Sequence, residues 1–228
     1  TKMGRRVEQK LENYTPEAFV AWTQRSRDNL DTGTLDLVQL HCPPFDVYYT
    51  PELFSACDEL VEEGVMRHYG VSVEKVEQAQ KAMEYAGVAT VQIIFNMFRQ
   101  RPADRFLGEA LARDVGVLAR VPLASGLLTG KYQDGIPEGS RGEKVEFLRE
   151  FITDPENLAK VDSFLAVAKD VGCSPGQLAL AWTASNPNVS SVILGARHVG
   201  QLNENLGALE VMESLTNEQK ASIDEIFA

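Results

Sequence analysis

Three stretches of the chain combine residue types that do chemistry. The first is Leu35-Asp36-Leu37-Val38-Gln39-Leu40-His41, an apolar run that ends on an imidazole and is closed by Cys42-Pro43-Pro44. A neutral histidine at the end of a strand can donate a hydrogen bond to a carbonyl oxygen, and it can equally be a structural residue at the rim of a core. The second stretch is Val121-Pro122-Leu123-Ala124-Ser125-Gly126-Leu127-Leu128-Thr129-Gly130-Lys131-Tyr132. Its small residues and glycines let backbone N–H groups approach an anion, which Lys131 and Arg141 could cap; an ordinary long loop has the same composition. The third, Ile193-Leu194-Gly195-Ala196-Arg197, runs from a strand toward a helix start near Gln201. Glycine after a late strand, followed by a helix N-terminus, is an arrangement that binds phosphate, and a structural loop with a surface arginine fits the same residues. The other histidines, His68 inside a strand-like run and His198 in a loop, read as structural. Nothing in the spacing groups the three with carboxylates as metal ligands.

The elements that must position these residues alternate. Thr15 to Leu30 reads as a helix with Thr15 as N-cap and Pro16 at its first position, and Pro51 to Gly64 as another. Strands are expected at Leu35–His41, Met66–Ser72, Ala89–Asn96, Gly116–Pro122 and Val189–Leu194. The helices that follow span Glu74–Tyr85, Ala103–Arg113, Pro155–Val171, Ser174–Asn186, Gln201–Leu209 and Asn217–Phe227. Strands alternating with helices predict a parallel sheet with helices outside, an α/β fold. No G-x-G-x-x-G turn marks an open dinucleotide-binding sheet, whereas His41, Ser72, Gln92 or Asn96, and Arg120 fall at or near strand ends, where a (β/α)8 barrel carries its chemistry. The barrel is favoured. Five strands and a remnant at Thr1-Lys2 are legible where eight are required, so the first two βα units and most of the third strand are expected to lie outside this chain. Residues 1–228 are then one incomplete barrel domain.

Composition excludes several classes. The 44% hydrophobic and 24% charged residues belong to a folded globular protein, and a net charge of −11 without a basic patch argues against nucleic-acid binding. No apolar run is long enough to span a bilayer, and a cytoplasmic address is expected. Cys42, Cys57 and Cys173 are odd in number and lack C-x-x-C spacing, which favours reduced thiols over a disulfide framework or structural zinc.

Five motifs in order carry a resemblance: Leu35 to His41 with its prolines; Tyr69-Gly70-Val71-Ser72; Val91-Gln92 with Phe95-Asn96; Pro122 to Tyr132; and Gly195-Ala196-Arg197 with Gln201-Leu202-Asn203-Glu204-Asn205-Leu206. The sequence resembles the aldo-keto reductase superfamily over effectively all of its 228 residues, and more closely the bacterial oxidoreductases related to potassium-channel β subunits. That resemblance implies a (β/α)8 barrel that binds NADP(H) and reduces small aldehydes or ketones with an Asp, Tyr, Lys and His set. By motif the histidine matches His41 and the lysine Lys2, while the aspartate and tyrosine belong upstream. Tyr48 and Tyr49, in the loop after His41, are the alternative acids this chain offers, without precedent in the family.

The resemblance assigns Ser72 and Gln92 to the nicotinamide carboxamide. Val73 stands where the family usually has Asn or Arg. Arg120 replaces an aromatic residue that stacks on the nicotinamide, and a cationic stack disfavours the oxidised, positively charged ring. Backbone from Val121 through Pro122, Leu123, Ser125, Gly126 and Leu127, with Lys131 and Arg141, would bind pyrophosphate. Gly195, Ala196, Arg197, Gln201, Glu204 and Asn205 resemble the adenosine end, with Arg197 able to pair with a 2′-phosphate. A small carbonyl substrate is the expected partner, nucleic acid and membrane are not, and a homo-oligomer is left open. The rival reading is a nicotinamide-binding sensor or regulatory subunit with little turnover. A third reading makes the 228 residues a complete, degenerate barrel without its acid.

Overall fold

A computed structural model describes every residue from Thr1 to Ala228. The chain is an α/β protein in two compact units, one formed by Thr1–Ile94 with Arg101–Leu118, the other by Phe95–Gln100 with Ala119–Ala228. Within the first unit the first four strands follow one another in the sheet in sequence order.

The first unit runs β1 (Lys2–Met3), α1 (Pro16–Leu30), β2 (Leu35–His41), α2 (Pro51–Glu62), β3 (Met66–Ser72), α3 (Val76–Ala82), β4 (Val88–Ile94), α4 (Arg101–Asp104), α5 (Phe106–Ala112) and the start of β5 (Gly116–Arg120). β1 to β4 pair in parallel, with Lys2 opposite Gln39, His41 opposite Ser72, and Ser72 opposite Gln92. Parallel strands need crossovers, and the helices supply them while covering the apolar strand residues. Thr15 Oγ1 accepts the Ala18 amide at 3.2 Å and Pro16 sits in the first turn, which starts α1 where its sequence predicts. Phe19 and Trp22 of α1, and Leu53, Phe54, Cys57 and Leu60 of α2, are buried, each large apolar side chain contributing about 1.5–3 kcal/mol.

Two helices depart from expectation. α3 is confined to seven residues, and the expected helix over 103–113 is split at Arg105, whose φ of −148° is not helical. β4 stops at Ile94 rather than Asn96, because the Asn96 side chain turns the chain by accepting the Phe98 amide at 3.0 Å.

The second unit holds the end of β5, a 3-10 turn at Ala124–Thr129, α6 (Arg141–Lys144), α7 (Glu146–Thr153), α8 (Pro155–Val171), α9 (Pro175–Ala184), β6 (Ser191–Ile193), α10 (Val199–Leu206), α11 (Ala208–Ser214) and α12 (Asn217–Phe227). Its core gathers Leu127, Leu128, Val161, Phe164, Leu178 and Ile223, with Phe98 edge-on to both Phe151 and Phe227. Asp154 accepts the Glu156 and Asn157 amides at 2.8 and 3.2 Å, and Ser174 with Gln177 and Thr216 with Gln219 form capping boxes, so α8, α9 and α12 begin where sequence rules place them. The expected helix over 201–209 begins earlier, at Val199, and breaks at Gly207. There the Gln177 side chain reaches in to donate to the Glu204 carbonyl at 2.9 Å and would collide with any Cβ. No helix is long and apolar enough to cross a membrane.

Candidate active site

In the first unit the candidate residues share one face of the sheet. Side chains alternate along a strand, so Gln39 and His41 of β2, Gly70 and Ser72 of β3, and Thr90 and Gln92 of β4 form two layers on that face, with Lys2 beside Gln39. His41 and Ser72 are the last residues of their strands. The Lys2 ammonium donates to Gln92 Oε1 at 2.9 Å, and Ser72 Oγ lies 3.5 Å from the same oxygen. Gln92 Nε2 donates to Gln39 Oε1 at 2.8 Å, and Gln39 Nε2 donates to Thr90 Oγ1 at 3.0 Å. The chain of donors fixes the Gln92 amide with its oxygen toward Lys2. Lys2 is an exposed residue whose ammonium thereby rests on buried polar groups at the C-terminal edge of parallel strands, the edge where α/β proteins place their chemistry.

Gly70 makes this packing feasible: a Cβ there would overlap both the carbonyl oxygen and Oγ1 of Thr90. Gln39 and Thr90 were not among the expected site residues. Their signal was nonetheless present, because Gln39 is a polar residue inside an apolar parallel strand, and a buried amide demands a partner.

The loop after His41 is tightly built. Cys42 adopts φ of 49°, its amide donates to the Ser72 carbonyl at 2.8 Å, and its Sγ stands 3.9 Å from Ser72 Oγ. Tyr48 is fully buried, its hydroxyl has no hydrogen-bond partner, and burial, with the neighbouring Cys42, Tyr14 and Glu74, pushes its pKa well above the ordinary phenol value. A proton donor needs the opposite shift, so Tyr48 does not suit the role of acid. Tyr49 is exposed with the Lys81 ammonium 4.8 Å from its ring centroid.

In the second unit, the segment after Arg120 is held in left-handed backbone at Val121, Ala124, Ser125 and Gly126, with φ of 57°, 47°, 60° and 96°. Left-handed conformations at non-glycine residues persist only where surroundings impose them. Here Asn96 Nδ2 donates to the Val121 carbonyl at 2.9 Å, Thr129 Oγ1 to the Gly126 carbonyl at 2.7 Å, and Tyr132 Oη to the Ser125 carbonyl at 3.3 Å. Glycine suits position 126 because its φ of 96° strains any side-chain-bearing residue, and the Lys131 tail folds into the space beside it. Lys131 Nζ also stands 4.6 Å from the Tyr132 ring centroid. Pro122, Leu123 and Leu127 complete this loop, and Arg141 is exposed at the first position of α6.

The third stretch also forms as a strand, a loop and a helix start. Gly195, Ala196 and Arg197 are exposed, the Arg197 amide donates to Gln201 Oε1 at 2.9 Å, and the Gln201 amide donates to His198 Nδ1 at 3.1 Å. Asn205 is buried and its Nδ2 donates to the Gly195 carbonyl at 3.4 Å. Glu204 is exposed on α10. No group of three or more His, Cys, Asp or Glu is arranged to hold a metal ion.

A family model for the aldo/keto reductase family matches residues 1–228, the whole chain. The chain belongs to the aldo/keto reductase family. Its relatives include a probable voltage-gated potassium channel subunit beta of Oryza sativa subsp. japonica, 35% identical over 213 residues, which cover 88% of this chain and 64% of that protein. A probable subunit of the same description from Arabidopsis thaliana is 34% identical over 210 residues, 87% of this chain and 63% of the relative. A putative one from Schizosaccharomyces pombe is 35% identical over 207 residues, 85% and 59% respectively. The chain thus spans less than two thirds of the length of these aldo/keto reductase relatives.

Proposed function

We propose that the protein is an NADP(H)-dependent reductase of small aldehydes or ketones, built on a (β/α)8 barrel to which this chain contributes six strands. The observation that carries the reading is the shared face of Lys2, His41, Ser72 and Gln92 in a chain matched throughout by the aldo/keto reductase family. An apolar cavity of about 310 Å³ between β6, α9, α10 and α11, lined by Leu180, Val192, Leu206, Leu209 and Met212 among others, offers the kind of surface that a further βα unit would cover.

The donor set suits the cofactor. A hydroxyl at Ser72 and an amide at Gln92 match a carboxamide, Lys131 on a left-handed backbone loop matches pyrophosphate, and Arg197 beside a capped helix matches a 2′-phosphate. Bound NADPH would supply the hydride. Lys2, oriented by Gln92, would stabilise the phenolate of a proton-donating tyrosine and lower its pKa, and His41 would hold the carbonyl oxygen while charge develops on it.

The test is NADPH oxidation with an aromatic aldehyde, followed by absorbance, in the protein that also carries the aspartate and tyrosine implied by the family resemblance. Turnover by the wild type that falls at least about a hundredfold in Lys2→Met and His41→Ala, with NADPH affinity within a few fold, supports the reading; equal rates in all three proteins overturn it. The names of the relatives favour a second reading, a cofactor-binding subunit of a larger assembly. It predicts NADPH binding without appreciable turnover.

A further inference from the structure

We infer that His198 is a positioning residue that makes the first turn of α10 sensitive to pH. Its imidazole is the N-cap, and it accepts the Gln201 amide through Nδ1 at 3.1 Å while Gln201 Oε1 accepts the Arg197 amide at 2.9 Å. The two bonds are reciprocal in the manner of a capping box, so the residue before the cap, the cap and the third helical residue hold one another. The usual cap residues, Ser, Thr, Asp and Asn, keep their acceptor at any pH near neutrality. An imidazole keeps it only while one ring nitrogen carries no proton.

The contact therefore fixes the tautomer, with the hydrogen on Nε2 and the Nδ1 lone pair toward the helix. A second proton turns Nδ1 into a donor aimed at another donor, and it places a positive charge at the positive end of the helix dipole. Both effects release the first turn. α9 and β6 carry no ionisable side chain, α11 carries Glu210 and Glu213, α10 itself carries Glu204, and the preceding loop carries the exposed Arg197. Gly200 gives the ring its seat, since a Cβ there would stand 3.3 Å from Nδ1. Arg197, Gln201 and Glu204 all lie on or beside this turn. On the cofactor reading above, on which this extension rests, protonation of His198 disorganises the adenosine end.

The experiment measures hydrogen-exchange protection of the Gln201 amide, corrected for intrinsic rates, in the cofactor-free protein at about pH 8 and about pH 5.5, a range over which an imidazole can gain a proton. Wild type should lose protection about fivefold at the lower pH, the equivalent of one lost cap. His198→Asn, which caps without titrating, should hold its protection at both values, and His198→Ala should be weak at both. An unchanged wild type, or an equal fall in His198→Asn, overturns the proposal. NADPH affinity at about pH 8 should be retained in His198→Asn and fall in His198→Ala. Failure of every form to bind NADPH would sink the cofactor reading while leaving the exchange result to decide the switch.

Discussion

Replacing Gly70 by alanine tests whether the polar face of β2 to β4 is organised as described. Gly70 is not in the left-handed region, so its backbone tolerates any residue and the effect is steric alone. The new methyl would overlap the Thr90 carbonyl oxygen and Oγ1 and stand 3.0 Å from the carbonyl carbon. A flexible side chain could swing away, but the carbonyl belongs to β4 and cannot. Overpacking of this kind costs about 1–3 kcal/mol, and displacing Thr90 also breaks its bond from Gln39, worth about 1 kcal/mol more. The expected loss is therefore about 2–4 kcal/mol. Trp22 lies in the first unit and Trp182 in the second, so urea unfolding followed by Trp22 emission in a Trp182→Phe background reports on the affected unit. Gly70→Ala should lower the midpoint without changing the slope, and Thr90→Ala should rescue it only in part because the carbonyl remains. A loss below about 0.5 kcal/mol, the range of inconsequential substitutions, would refute the packing argument.

Three further outcomes are expected. Tyr48→Phe removes a buried hydroxyl that has no partner and should stabilise the protein by up to about 1 kcal/mol at neutral pH, as read by urea unfolding; a loss of stability would show that the hydroxyl is in use. Burial raises the pKa of both Tyr48 and Tyr69, the latter also through its bond to the Asp58 carboxylate. Both states keep the phenol proton below about pH 10, and above it the unfolded chain ionises first, so stability should fall with rising pH by up to about 1.4 kcal/mol per unit for each phenol. The fall should be shallower in Tyr48→Phe, and a flat alkaline profile would contradict the buried environment of both rings. Arg120→Tyr should raise the affinity for NADP+ relative to NADPH, measured as a ratio of dissociation constants. An unchanged ratio would remove Arg120 from contact with the ring.

Much of the strand plan was legible because parallel strands are apolar runs with definite ends: Pro43-Pro44 closes β2, and Ser72 ends β3 as expected. His41 and Ser72 at strand ends and the loop from Val121 to Tyr132 were placed by residue type, whereas Lys2 was singled out through the family resemblance. Helices α6 and α7 were not, because glycine and proline in residues 133–145 read as loop, while Ser140 caps a single turn and the apolar residues Leu148 and Ile152 bury a second. The start of α10 escaped because histidine is an uncommon cap, and its end escaped because it is met by Gln177 from another helix, which donates to the Glu204 carbonyl. Gln39 and Thr90 were missed because single polar residues in a strand look incidental until pairing brings them together. What was illegible in each case was a long-range partner.

The most direct test of the account is calorimetric titration of NADPH and NADH into the wild-type protein and Arg197→Ala. The account predicts that NADPH binds more tightly than NADH and that Arg197→Ala loses about tenfold or more for NADPH alone, since a hydrogen bond to a charged phosphate is worth about 1.5–3 kcal/mol. Absence of binding by either nucleotide would contradict the assignment of a nicotinamide cofactor to this chain.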